Sequence, residues 1–288
     1  IQPIDDFAEL LCLNVPKEVL ESTFKNFSGL EETAKQDSSN IDISDSLIII
    51  DTLSSKIKDI NPEDDSISIN KKQKINYSKE NPIKILLIGD SMMGGGLGTL
   101  LSRTFRRDTL FFAKRFYELS SGLNRIDVYD WYAKTEEVML ENEYDVLVVN
   151  FGTNDVQPIK KDSTNIYKFS NPEWKVEYSK RVDRYLELVH NKFNKIYWLE
   201  LPYMRDESFS KRLNKLNNIF KKKISNYQNI SFFPTSKYLT DSTNSFCSFK
   251  EINKKKVKIR TDDGIHYTNA SGRIVALEIR KRILKDLF

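Results

Sequence analysis

The chain has 288 residues, 39% hydrophobic and 11% aromatic, with 45 basic against 41 acidic side chains and a formal net charge of +4. That length supports one sizeable core with an appendage, and the near balance of charge, with basic runs at 220–224 and 253–258 read as solvated faces, makes nucleic acid a poor partner. Two distant cysteines, Cys12 and Cys247, offer no metal-binding spacing, and no apolar run approaches the roughly 18 residues of a membrane-spanning helix.

The sequence starts at Ile1 rather than methionine, which leaves an export signal or anchor upstream as an expectation. Residues 4–14 and 16–27 form two short helix-like stretches, the second with Pro16 suited to a first turn. From about 36 to 80 the chain is rich in Ser, Asp, Asn and Lys, interrupted by the apolar stretch SLIIIDTL, and reads as a linker with room for one edge strand or short helix. The organisation therefore divides into an appendage and linker over 1–80 and a main domain over 81–288. Within that domain, short apolar runs at 83–88, 146–151, 196–201 and 230–233 alternate with helix-length segments at 131–142, 173–193, 210–225 and 270–287. Such alternation predicts an α/β sandwich around a central, mostly parallel sheet. Ligands in such folds sit beyond the carboxyl ends of the strands, and there the sequence places GDS, GTND and PYMR after the first three runs.

The glycine-rich stretch after the first run, Gly89 to Gly98, fits no phosphate-binding pattern. A P-loop needs a lysine that is missing, and a dinucleotide fingerprint would put Thr99 or Leu101 where its third glycine belongs. The nucleophile elbow G-x-S-x-G also fails, because Met93 occupies the second glycine position after Ser91. A nucleophilic Ser91 needs another architecture, with a base to take its proton and a third group to orient the base.

Only two histidines are available. His190 lies in a helical, partly apolar pattern and reads as a packing or surface residue. His266 stands in TDDGIHYT, before the last helix, with Asp263 three residues earlier. That spacing lets the carboxylate reach back to Nδ1 and leaves Nε2 for Ser91, although a helix-start cap is a competing reading. Acyl transfer also needs donors for the developing oxyanion. Asn154 in GTND and the backbone N–H of Gly122 in SSGLNR are the candidates, and each is an ordinary turn residue in isolation.

In order, Gly89-Asp90-Ser91, Gly122, Gly152-Thr153-Asn154-Asp155 and Asp263-Gly264-Ile265-His266 resemble the blocks of the SGNH (GDSL) hydrolase superfamily over about residues 83–287. The resemblance implies a flavodoxin-like three-layer α/β/α sandwich. It further implies Ser91 as nucleophile, His266 and Asp263 as its partners, and Gly122 and Asn154 as oxyanion donors beside the Ser91 N–H. The segments SSGLNRIDVYDW, GTNDVQ, LPYMR and DGIHYT are similar to the bacterial DUF459 branch. That likeness implies an extracytoplasmic, periplasmic setting, an acylated carbohydrate or small ester as substrate, and a membrane-bound acyltransferase as partner. It also places Asp90, Gln157, Arg205 and Tyr203 at the substrate, with a structural salt bridge as the alternative for Arg205. Tyr203 stands where the branch commonly has proline, and 240–258 reads as a variable insertion. Trp131, Trp174 and Tyr203 either stack on a sugar or belong to the core. The chemistry implied is ester hydrolysis through an acyl-enzyme, without metal or cofactor. A carbohydrate O-acyltransferase using the same serine and a non-catalytic glycan-binding protein are the alternatives.

Overall fold

The computed structural model describes residues 75–288 except 163, 242 and 244. The two expected N-terminal helices, most of the expected linker and Cys12 lie outside the described residues.

Five strands form one parallel sheet: β1 (Ile83–Gly89), β2 (Phe111–Tyr117), β3 (Val146–Asn150), β6 (Lys195–Leu199) and β7 (Ile230–Phe233), in the spatial order β2-β1-β3-β6-β7. Counting these strands alone, the order is 2-1-3-4-5, that of a flavodoxin-like doubly wound fold, and the order reverses at β1. Two small antiparallel pairs stand apart from this sheet: β4 (Ile159–Lys160) with β5 (Ile166–Tyr167), and β8 (Phe249–Ile252) with β9 (Lys255–Lys258).

Side chains alternate across the sheet with the period of two that pleating dictates. Leu86, Ile88, Leu147, Val149, Ile196 and Trp198 enter one apolar layer, with residues of α3 (Trp131–Glu141), α4 (Pro172–Val189) and α5 (Glu207–Ile224). Ile85, Leu87, Val146, Val148, Tyr197 and Leu199 enter the other, with residues of α2 (Gly96–Arg106) and α7 (Asn269–Leu287). Helices on both faces complete the three layers. The central strand β3 is buried along its whole length, which is why its sequence, VLVVN, is apolar almost throughout.

The strand β2 and the helix α2 were not among the expected elements. The run FFAKRFY carries Lys114 and Arg115, which disguise it, but β2 is an edge strand with one open side, where charge is tolerated. Glycines 96 and 98 weaken the helical signal of α2, and packing overrides that weakness. A Cβ at Gly96 would sit 2.6 Å from the carbonyl oxygen of Tyr267, and one at Gly272 would sit 2.3 Å from the Gly96 carbonyl oxygen. The glycine-rich stretch is thus explained in large part by close packing within the fold rather than by a ligand: Gly96 admits the segment that opens α7, Gly98 lies against the Met93 backbone, and Gly89 lies against the Asn150 carbonyl. The expected insertion at 240–258 holds the β8–β9 hairpin, whose turn residues Asn253 and Lys254 both adopt positive φ, 51° and 62°, as a tight two-residue hairpin turn requires.

Gly272→Ala should retain the fold but lose about 1–3 kcal/mol, because its new methyl group meets backbone rather than a movable side chain. The midpoint of urea unfolding, with circular dichroism as the control for folding, measures this loss.

Candidate active site

Ser91 opens the short helix α1 (Ser91–Gly94) directly beyond the carboxyl end of β1, where the strand order reverses. Asp90 caps that helix: its Oδ1 accepts from the Met92 N–H at 2.9 Å. Its Oδ2 accepts from both the backbone N–H and the hydroxyl of Thr153, in the loop after β3. One buried carboxylate therefore ties the Ser91 turn to the GTND loop.

The histidine arrives from the far end of the chain, on the turn that precedes α7. Gly264 supplies a φ of +73°, and the Thr261 N–H donates to the His266 carbonyl at 3.0 Å. Inside this turn Asp263 Oδ1 accepts from the backbone N–H groups of Ile265, at 2.7 Å, and His266, at 3.0 Å, and from the Thr261 hydroxyl. Its Oδ2 lies 2.7 Å from His266 Nδ1, and His266 Nε2 lies 2.9 Å from Ser91 Oγ. Burial opposes the charge on Asp263, but hydrogen bonds from His266, Thr261 and Ile265 outweigh it and hold the carboxyl well below the usual range. An ionised carboxylate only accepts, so the Nδ1 proton faces Asp263 and Nε2 is left to accept from the Ser91 hydroxyl.

Three donors belong to the segments around this chain of bonds. Among the described residues, the N–H groups of Ser91 and Gly122 have no hydrogen-bond partner. Asn154 Nδ2 gives one proton to the Ser121 carbonyl at 3.0 Å and keeps its second.

A family model described as "Protein of unknown function (DUF459)" matches residues 84–282. The chain belongs to the DUF459 family. A search of curated protein sequences finds no match to the chain. Similar solved structures include a GDSL-like lipase from Bacteroides thetaiotaomicron, 17% identical over 73% of this chain and 92% of that one, with a TM-score of 0.49. A catalytic mutant of an acetylxylan esterase from Geobacillus stearothermophilus is 13% identical over 74% and 96%, with a TM-score of 0.49. An inhibitor-bound aryl esterase from M. smegmatis is 14% identical over 70% and 98%, with a TM-score of 0.48.

Several expected site residues of this DUF459 protein have other tasks. Asp90, expected at the substrate, is completely buried, and both its oxygens are occupied by Met92 and Thr153. Trp131 and Trp174 are core residues, and each supports a site loop: Trp131 Nε1 donates to Ser121 Oγ at 2.9 Å, and Trp174 Nε1 to the Gln157 carbonyl at 2.7 Å. Among the described residues Arg205 makes no carboxylate pair; its guanidinium donates to the Asp262 carbonyl at 2.8 Å, and its side chain fills the space where a Cβ on Gly264 would lie. It braces the turn that carries Asp263. Gln157 and Tyr203 are half-buried, and the Tyr203 carbonyl is held by Arg260. His190 sits apart at the carboxyl end of α4, 3.4 Å from Glu187 of that helix. Among the described residues no group of His, Cys, Asp and Glu could hold a metal ion, and no helix is long and apolar enough to cross a membrane. A cavity of about 280 Å³ beside β7 and α7 shares no residue with the Ser91 site.

The residue that sequence reasoning passed over is Asp155. It is fully buried and accepts from the N–H groups of Leu123, at 3.1 Å, and Asn124, at 2.9 Å, and from the Tyr178 hydroxyl at 2.6 Å. A Cβ on Gly122 would lie 2.0 Å from Asp155 Oδ1, so only glycine fits there. The final position of GTND thus fixes the loop that presents the Gly122 N–H.

Burial, opposed by these hydrogen bonds, raises the Asp155 carboxyl to about 6, whereas in an unfolded chain it titrates near 3.9. Between those values the folded protein holds a proton that the unfolded chain has released. The stability that this proton brings is complete below about pH 4 and is lost as pH rises through about 6. Relative to Asp155→Asn, the unfolding free energy of the unmodified protein should therefore fall by on the order of 3 kcal/mol from about pH 4 to about pH 7. Urea unfolding of both proteins across that range checks it.

Proposed function

We propose that this DUF459 protein is a serine-dependent ester hydrolase that removes acyl groups, above all acetyl, from a carbohydrate of the cell envelope outside the cytoplasm. The observation that carries the reading is the unbroken series Ser91 Oγ, His266 Nε2, His266 Nδ1 and Asp263 Oδ2, with spacings of 2.9 and 2.7 Å at its two hydrogen bonds. It lies at the reversal point of a doubly wound sheet, and among the described residues the N–H groups of Ser91 and Gly122 are unclaimed.

In this mechanism His266 takes the Ser91 proton as Oγ attacks the ester carbonyl, and Asp263 stabilises the imidazolium that forms. The oxyanion accepts from Asn154 Nδ2 and from the Ser91 and Gly122 N–H groups. His266 then returns its proton to the departing alcohol oxygen. Water, deprotonated by the same imidazole, releases the acid and restores the serine. The carbohydrate ester and the setting follow the resemblance to the DUF459 branch. Hydrolysis is favoured over transfer to a sugar hydroxyl because the His266 and Asp263 side chains keep 23% and 28% exposure, which leaves water a route to the acyl-enzyme.

Ser91→Ala should leave the fold intact while ending both covalent labelling by a fluorophosphonate and cleavage of a small acetyl ester, read by mass spectrometry and by acetate release. Turnover retained by that variant would exclude Ser91 as nucleophile. Asn154→Ala should keep labelling but lose about 3 kcal/mol of transition-state stabilisation, a drop of roughly 100-fold or more in kcat. Free acetate measured against acetylated product, with a glycan acceptor present, separates hydrolysis from transfer.

A further inference from the structure

Arg260 is only 1% exposed, yet among the described residues no carboxylate pairs with it. A buried guanidinium with no carboxylate in direct contact is costly, although the Asp263 charge acts on it from a distance, and its Nε lacks any partner. Burial pushes its pKa down. Two carbonyl oxygens, the Tyr267 hydroxyl and two aromatic rings stand in for a carboxylate. One terminal nitrogen donates to the Ile265 carbonyl at 3.0 Å, and the other donates to the Tyr203 carbonyl at 2.9 Å. The guanidinium lies 4.2 Å from the centre of the Tyr267 ring and 5.8 Å from that of Phe246.

The choice of carbonyls is informative. The peptide unit that joins Ile265 to His266 has its C=O on Arg260 and its N–H on Asp263 Oδ1, at 3.0 Å. It is held at both ends. The second arm of the fork reaches the loop after β6, whose next residues brace the same turn through Arg205. Orienting two carbonyls from separate segments takes a planar, divergent pair of donors, which arginine has and lysine lacks.

We propose that Arg260 is a positioning residue for His266: its fork fixes the peptide plane before the histidine and so keeps the imidazole in line between Asp263 and Ser91. The inference rests on the proposed relay. Its action is on orientation, so its loss should appear in the chemical step and spare substrate binding. A misplacement on the order of 1 Å in such a relay costs about 100-fold in rate.

The test compares the unmodified protein with Arg260→Met, which keeps most of the volume, and Arg260→Lys, which keeps the charge and stem but lacks the planar fork of two terminal nitrogens. Three readouts are taken: kcat and KM on a small acetyl ester, the rate of fluorophosphonate labelling, and the downfield proton resonance of the Nδ1–H bond to Asp263. For Arg260→Met the expected result is a fall of about 100-fold in kcat and a similar fall in labelling rate, with KM within about twofold. The downfield resonance should broaden or vanish, and Arg260→Lys should recover only part of each loss. If Arg260→Met does not fold, Arg260→Lys alone decides: lower kcat with unchanged KM supports the proposal. Folded variants with unchanged kcat and an unchanged resonance overturn it, as does a rise in KM at constant kcat, which would place Arg260 on the substrate. Absence of labelling in the unmodified protein would instead overturn the serine-hydrolase reading itself.

Discussion

The Asp90 carboxylate is the constraint on which the site depends. It leaves the sheet at the end of β1, buried from solvent, and spends its two oxygens on different segments: one on the first turn of α1, the other on Thr153 beyond β3. Neighbouring parallel strands point their carboxyl ends in the same direction, but their following loops are free to diverge. Asp90 removes that freedom. Burial makes its charge expensive and raises its pKa, while the Thr153 and Met92 hydrogen bonds work against that rise. Losing a partner would leave an unsatisfied buried carboxylate, so the arrangement is held by the cost of its alternatives as much as by its own strength.

The same logic recurs around the rim. Asp155 gathers two backbone N–H groups and a tyrosine hydroxyl, and Asp263 gathers two backbone N–H groups, a threonine hydroxyl and an imidazole. Three carboxylates thus organise three loops, Asp90 and Asp155 from fully buried positions and Asp263 from within its own turn. Arg260 does the reverse with carbonyl oxygens. Loops are ordinarily the mobile part of an α/β fold. Here backbone polar groups that regular structure would have paired are taken up by ionisable side chains, three of them buried, which gives the loops the order of secondary structure without its repetition.

Much of this was legible in the sequence, for identifiable reasons. The strands β1, β3, β6 and β7 are short apolar runs because parallel strands in the middle of three layers are covered on both faces. Asp263 and His266 could be paired because their partnership is local, spanning a single turn. Asp90 was misread as a substrate residue because adjacency to Ser91 says nothing about whether a side chain points outward or down. Asp155 and Arg260 were invisible for a related reason: what they hold, the 122–124 loop and the Ile265 and Tyr203 carbonyls, is brought to them mostly by tertiary folding. The strand β2 was masked by charges that only an edge can carry, and α2 by glycines needed for close backbone contacts, Gly98 on Met93 and Gly96 on the segment that opens α7.

That helix contact has a mechanical meaning. The serine stands just ahead of α2, and the histidine just ahead of α7; 175 residues separate the two along the chain. Yet Gly96 and Gly272 bring the backbones of those helices together within their first turns, with no side chain between them to act as a cushion. The two halves of the relay therefore stand next to one shared backbone contact. A slide or tilt of either helix would drive backbone against backbone at that contact, a few residues from the hydroxyl and the imidazole, so the close approach limits how far the two can drift apart.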